Sequence, residues 1–137
     1  MGRTTTPPPP IFRLDPASGL PFYRQIIDQV LLAVADGRLK PGAQLPTVRQ
    51  LAVDLAINLN TVARAYREME IRGIVETQQG TGTFVASRPA RPRSGEKKRA
   101  VQELLDQFVA SATSKGITME DLIDALVERA EEAERRS

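Results

Sequence analysis

Apolar residues recur at helical spacing in several stretches of this chain, and the breaks between those stretches set its organisation. From Phe22 to Asp36, the residues Tyr23, Ile26, Ile27, Val30, Leu31 and Val34 keep to one helical stripe, which predicts an amphipathic helix stopped by Gly37. About 15 residues at 1.5 Å each reach roughly 22 Å, long enough to brace two shorter helices. Lys40-Pro41-Gly42 then turns the chain toward Leu45-Pro46. Thr47 followed by Gln50 is a capping-box start for a short helix from near Val48, which carries Leu51, Ala52 and Leu55 inward. After a break, Asn58 caps a second helix with Val62, Ala65, Tyr66 and Met69 on one stripe, ended by Gly73. A short helix, a tight turn and a longer helix read as helix-turn-helix. Ile74 to Thr77 and Thr83 to Ala86 follow as two short strands joined by Gln78-Gln79-Gly80-Thr81-Gly82, a hairpin that makes a wing.

The face opposite the buried stripe carries the chemistry. At about 100° per residue, Asn60, Ala63, Arg64 and Arg67 lie away from Val62, Tyr66 and Met69, giving two guanidiniums, an amide and no carboxylate. Asn60 and Thr61 occupy the first turn, the part of a recognition helix that enters a major groove. There an amide can pair with adenine while arginines reach guanine or phosphate. The helix N-terminus also attracts phosphate. In the wing, Gly80 and Gly82 leave the backbone unobstructed, and Gln79 or Thr81 can hydrogen-bond to a nucleic acid. A solvated helix face is the competing reading of these charges, and the wing beside them weighs against it. Arg38 and Lys40 read either as phosphate contacts or as a wet loop.

Beyond the wing, Arg88-Pro89-Ala90-Arg91-Pro92-Arg93-Ser94-Gly95 is a basic, proline-rich linker without core residues. It reads equally as a stiff connection and as an arginine track along DNA. Val101, Leu104, Leu105, Phe108, Val109 and Ala112 then form one helical stripe ended by Lys115-Gly116. Thr118 caps a second helix with Met119, Leu122, Ile123, Leu126, Val127 and Ala130. Some 40 residues in two helices bury little by themselves. Val101, Leu104, Leu105, Phe108, Leu122, Ile123, Leu126 and Val127 are therefore expected to dimerise with a second copy, the alternative being packing onto the winged module. The fold class expected is mainly α with a small β-hairpin, in four parts. These are a disordered tail over 1–10, rich in proline; a winged helix-turn-helix over 11–87; the linker over 88–95; and a helical dimerisation segment over 96–137.

Composition narrows the chemistry. There are no cysteines and no histidines, which removes disulfides, Cys/His metal sites and His-based catalytic triads, so neither a metal nor a cofactor nor an enzymatic activity is expected. Glu120, Asp121 and Asp124 read as a solvated acidic face rather than a cation site. No apolar run of about 18 residues exists, nor a signal peptide, so a cytoplasmic chain with no membrane association is expected. The net charge of +2 conceals an asymmetry, with 12 Lys/Arg against 7 Asp/Glu in residues 1–95 and 7 against 10 in residues 96–137. The basic excess lies with the winged module, as a polyanion-binding unit requires.

The chain resembles the GntR-type winged-helix transcription regulators, in particular the short YtrA-like branch. The matching residues are Pro21-Phe22-Tyr23-Arg24-Gln25-Ile26, Gly37-Arg38-Leu39-Lys40-Pro41-Gly42, Leu45-Pro46-Thr47-Val48-Arg49-Gln50-Leu51-Ala52, Asn58-Leu59-Asn60-Thr61-Val62 and Gly80-Thr81-Gly82-Thr83-Phe84-Val85. They are spread over about half the chain, from Pro21 to Val85, in the family's order. The resemblance implies that the segment before Pro21, including Ile11 to Leu14, lies extended against the fold. It also implies DNA contacts by Arg49, by Asn58, Leu59, Asn60, Thr61 and Arg64, and by Gln79 and Gly80. Leu59 departs from the proline frequent at its position, which would suit a first helical turn. Thr47, Arg67, Thr81 and Gly82 complete the candidate interface. The expectation is a sequence-specific regulator of double-stranded operator DNA, acting as a homodimer on an inverted repeat, with repression implied by the resemblance. A small-molecule effector at the dimer junction stays open. The rival reading is a winged-helix scaffold whose arginine face meets an acidic protein.

Overall fold

The computed structural model describes residues 12–87 and 94–136, with the backbone alone for Ser94. The tail over 1–10, Ile11 and the arginines at 88, 91 and 93 lie outside the described residues. The chain separates into two compact units, Met1–Pro89 and Ala90–Ser137.

In the first unit, α1 (Phe22–Ala35), α2 (Val48–Leu55) and α3 (Leu59–Ile71) surround one core, and α1 and α2 both pack on α3. Ile26, Ile27, Val30 and Ala33 from α1 meet Val62, Ala65 and Met69 from α3, all with no exposed surface, and Leu51, Leu39 and Leu45 close the cluster. Three of the six α1 stripe residues, Tyr23, Leu31 and Val34, are only half-buried at its margin, and Ala33 takes a fully buried place. All four α3 stripe residues are buried.

The ends of these helices are fixed locally. Thr47 accepts from the Gln50 backbone N–H at 3.0 Å and opens α2. The reciprocal half of a capping box, from the Gln50 side chain to the Thr47 N–H, is not made among the described residues. Asn58 opens α3 by accepting from the Asn60 N–H at 2.7 Å. Between them α2 ends at Ala56, whose φ of 55° is left-handed, and Ile57 N–H bonds back to the Ala52 carbonyl at 3.1 Å. This left-handed residue tightens the turn enough to bring α3 back across α2.

The wing is larger than the expected hairpin. β2 (Val75–Gln78) and β3 (Gly82–Val85) start one residue away from the expected limits at each outer end, and the tip is Gln79 to Thr81. A third strand, β1 (Gln44–Leu45), pairs antiparallel with the other edge of β3, Gln44 opposite Phe84 and Leu45 opposite Thr83. Two residues are too few to show strand alternation, so the sequence predicts no strand between the Lys40-Pro41-Gly42 turn and the Thr47 cap. Val75 and Val85 point inward and join the sheet to the helical core.

The segment before α1 lies along it. Phe12 and Leu14 pack on the core, and Asp15 caps a single 3-10 turn, Pro16–Ser18. Two glutamines of α1 hold this arm. The Gln29 amide accepts from the Arg13 N–H at 2.7 Å and donates to the Arg13 carbonyl at 2.8 Å. Buried Gln25 accepts from the Asp15 N–H at 2.8 Å and donates to the Asp15 and Leu20 carbonyls and the Ser18 hydroxyl. Each side-chain amide satisfies backbone groups as a neighbouring strand would.

The second unit is α4 (Ser94–Ser114) and α5 (Met119–Arg136), so helix begins inside what the sequence marks as linker. Gly116, at φ 76°, ends α4. Thr118 and Asp121 form a reciprocal capping box at α5, with bonds of 3.0 and 3.1 Å. The Thr118 N–H holds the Asp121 carboxyl below its usual range, so this cap strengthens α5 above the carboxylate's unfolded pKa and fades as pH falls through the lowered one. Among the described residues of this unit Ala112 alone is buried.

Ala56 offers a direct test of the turn. An alanine in the left-handed region carries about 1–2 kcal/mol of strain, and a glycine there would add about 0.4–1 kcal/mol of unfolded-state entropy. Ala56→Gly is therefore expected to stabilise the protein by about 0.5–1 kcal/mol. This would read as a higher urea midpoint at unchanged slope. A lower midpoint would show that the Ala56 methyl contributes packing that outweighs its backbone strain.

Candidate nucleic-acid interface

The outer face of α3 is presented by what lies under it. Tyr66 is buried in the stripe, and its hydroxyl donates to the Pro46 carbonyl at 2.5 Å, tying α3 to the residue just before the α2 cap. Burial pushes the Tyr66 phenol well above its ordinary pKa, so the donor proton stays in place. With the apolar stripe and this bond holding one side, Asn60, Arg64 and Arg67 emerge on the other, all exposed. Thr61 and Ala63 are half-buried at the border of that face.

The candidate residues differ in how free their polar groups are. Arg49 on α2 and Arg67 on α3 are exposed, and neither has a hydrogen-bond or ion-pair partner among the described residues. The Asn60 side-chain amide is also unengaged, leaving a donor and an acceptor side by side. The Asn58 oxygen is committed to the cap, so its NH2 is what remains for a ligand. The Thr47 oxygen accepts within its own cap, which leaves its hydroxyl proton to donate outward. Leu59, 42% exposed, stands at the first position of α3 as an apolar group on an otherwise polar surface. Arg64 is the exception among the arginines. Its guanidinium carbon lies 3.8 Å from the centroid of the Tyr23 ring on α1.

Arg38 does not join this face. Its Nε donates to both Asp36 carboxylate oxygens at 2.9 and 2.8 Å, and the pair closes the turn after α1.

In the wing, the tip is a turn from Gln78 to Thr81, closed by the Thr81 N–H on the Gln78 carbonyl at 2.9 Å. Gln79, Gly80 and Thr81 are all exposed there. The two glycines serve different ends. Gly80 has a φ of 79° and open space where a Cβ would stand, so it lets the turn form and leaves the tip bare. Gly82 has a φ of 138°, and a Cβ there would come within 2.6 Å of the Gln44 side-chain nitrogen. That nitrogen donates to the Thr81 carbonyl at 3.1 Å. Gly82 therefore makes room for Gln44, which anchors the tip from β1.

Sequence reasoning named the outward residues and missed three that hold them, Tyr23, Gln44 and the Tyr66 hydroxyl. Each acts across the fold, on a residue at least 20 positions away. Among the described residues the assembled surface offers cations outside any ion pair, free amides at Asn60 and Gln79 and bare wing backbone. Such a surface can bind a polyanion and read base edges.

Residues 22–85 match the family model for bacterial regulatory proteins of the gntR family. The chain is 38% identical over 112 residues to the HTH-type transcriptional repressor YtrA of Bacillus subtilis, which covers 82% of this chain and 86% of that one. It is 40% identical over 109 residues to the HTH-type transcriptional regulator Rv1152 of Mycobacterium tuberculosis, covering 80% and 85%. Among solved structures, a transcriptional antiterminator from Listeria monocytogenes superposes with a TM-score of 0.70 at 27% identity, over 89% of this chain and 91% of that one. YtrA from Sulfolobus acidocaldarius, a GntR-family transcription factor, superposes at 0.52 with 26% identity, over 88% and 97%. These relatives are transcription regulators and not enzymes. The family match runs from the first residue of α1 to the last of β3, the stretch that builds the braced helix pair and its wing, and the chain belongs to the GntR family of DNA-binding winged-helix transcription regulators.

Proposed function

We propose that this regulator is a repressor that binds an inverted-repeat operator as a homodimer, reading each half-site with the outer face of α3 and the wing. The observation that carries the proposal is the pairing of an unengaged cationic face on one unit with an uncovered apolar surface on the other. Leu104, Phe108, Ile123 and Leu126 are 65%, 47%, 58% and 51% exposed, and Val101, Leu105 and Val127 are exposed as well, with Leu122 half-buried. A large apolar side chain gains about 1.5–3 kcal/mol on burial. A helical pair with one buried alanine gains little of that alone, and a two-fold partner presenting the same surface supplies the rest.

On DNA, Arg49 and Arg67 are assigned to phosphates or guanine, Asn60 and Thr61 to base edges in the major groove, and Asn58 and Thr47 to phosphate through their remaining donors. Gln79, Gly80 and Thr81 contact the backbone beside the groove. Repression fits the Bacillus subtilis relative, a transcriptional repressor, and follows physically from occupying promoter DNA. A small-molecule effector, if the regulator uses one, belongs at the junction of the two protomers.

Two measurements test this. The protein is first offered random-sequence DNA, and an enriched duplex is taken as its site. Arg49→Ala and Arg67→Ala are each expected to weaken binding to that duplex by about 1–3 kcal/mol where the arginine meets a base, or to lower the salt slope by about one where it meets a phosphate. Fluorescence anisotropy at several salt concentrations reads both, and unchanged affinity in both variants discards the face.

The second measurement concerns assembly. Phe108→Glu and Leu126→Glu place charge in the apolar surface of the full chain and are expected to convert a dimer to a monomer in sedimentation. Affinity for the two-half-site duplex should then fall to about that for one half-site. A wild-type monomer, or a monomeric variant with undiminished affinity, rejects the dimer.

A further inference from the structure

We infer that Tyr23 is a positioning residue for DNA recognition, biasing the Arg64 guanidinium toward one orientation before DNA arrives. This rests on the proposed reading of α3 as the recognition helix. The two residues come from different helices and are 41 positions apart, and their groups meet at 3.8 Å between guanidinium carbon and ring centroid. Tyr23 is half-buried and packs against the core of the first unit, so its ring is held by the fold. Arg64 is exposed, and it has no carboxylate or hydrogen-bond acceptor among the described residues. Its side chain is thus ordered by an aromatic face alone.

That mode of ordering has a chemical consequence. An ion pair would fix an arginine by occupying its N–H groups. A ring beneath the guanidinium fixes its position through the face and leaves the N–H donors at its edge unused. Those donors form a planar fork suited to two acceptors side by side, which DNA presents as the O6 and N7 of guanine or as two oxygens of one phosphate. Arg49 and Arg67 have no such support and must lose side-chain freedom when they bind. Arg64 has lost part of it beforehand, so its contact is stronger for the same chemistry.

The experiment uses the full-length protein and the duplex enriched from random-sequence DNA, with anisotropy at fixed salt. Tyr23→Leu removes the aromatic face and is expected to weaken binding about two- to fivefold, the worth of an exposed cation–π contact. Tyr23→Phe keeps the face and should stay within about twofold of wild type. Because Tyr23 also packs on the core, the deciding measurement is the double-mutant cycle. In an Arg64→Ala background, Tyr23→Leu should weaken binding no further. Undiminished affinity in Tyr23→Leu, or the same loss with and without Arg64, would overturn the inference, the latter assigning Tyr23 to the fold alone. A wild-type protein that enriches no sequence would instead overturn the reading of α3 on which this rests. Duplexes changed at each half-site position identify the acceptor. A guanine partner shows as an Arg64-dependent preference at one base pair, and a phosphate as a uniform loss with a shallower salt slope.

Discussion

What the first unit presents outward from α3 depends on the packing of α1 beneath it. A recognition helix works only if one face is locked while the other stays free, because a side chain aimed at a base edge is useful only in a narrow range of positions. Here the lock is made by Ile26, Ile27, Val30 and Ala33 against Val62, Ala65 and Met69, a contact from which water is fully excluded. Rotating α3 would expose this stripe, at about 25 cal/mol for each Å² of apolar surface uncovered. The orientation of Asn60, Arg64 and Arg67 is therefore a by-product of core packing.

Polar contacts refine what packing fixes coarsely. The Tyr66 hydroxyl ties α3 to the entry of α2, Ala56 closes the turn between them, and Gln44 steadies the wing tip from a strand of two residues. Along α1, Gln25 and Gln29 satisfy the backbone of the preceding arm, which would otherwise lie on the core margin with unpaired groups. Apart from the backbone turn at Ala56, these contacts share a design in which a side chain from a regular element takes over the bonding of an irregular one. In consequence the loops that flank the candidate interface are braced from the core side, while their other face stays available to a ligand.

The two units follow opposite rules. The first buries its apolar stripes and exposes charge, whereas the second exposes its apolar stripes and keeps one alanine buried. Their charges are also opposed, with 10 Lys/Arg against 7 Asp/Glu over residues 1–89 and 9 against 10 over residues 90–137. An acidic helical segment is repelled by DNA, which fits the proposal that the basic module meets it.

The sequence by itself determined the five α-helices and the wing hairpin of this protein, and in the first unit which side of each helix turns inward. Periodicity, the Thr47 and Asn58 caps, and the breaks at Gly37, Gly73 and Gly116 are local signals. They act over one or two turns, where the physics that stabilises a helix also writes its pattern. The outward residues of α3 were legible for the same reason, being the complement of a stripe. What only the tertiary structure decided is which side chains meet across the fold. The pairing of β1 with β3, the Gln44 bond to Thr81, the stacking of Arg64 on Tyr23 and the glutamine-held arm all join separate elements. No spacing rule links such residues, since their proximity follows from how α1, α3 and the sheet pack together. The engagement of Arg38 by Asp36 shows the other limit: the sequence left Arg38 between a phosphate contact and a wet loop, and only the turn after α1 shows its guanidinium 2.8 Å from the Asp36 carboxylate.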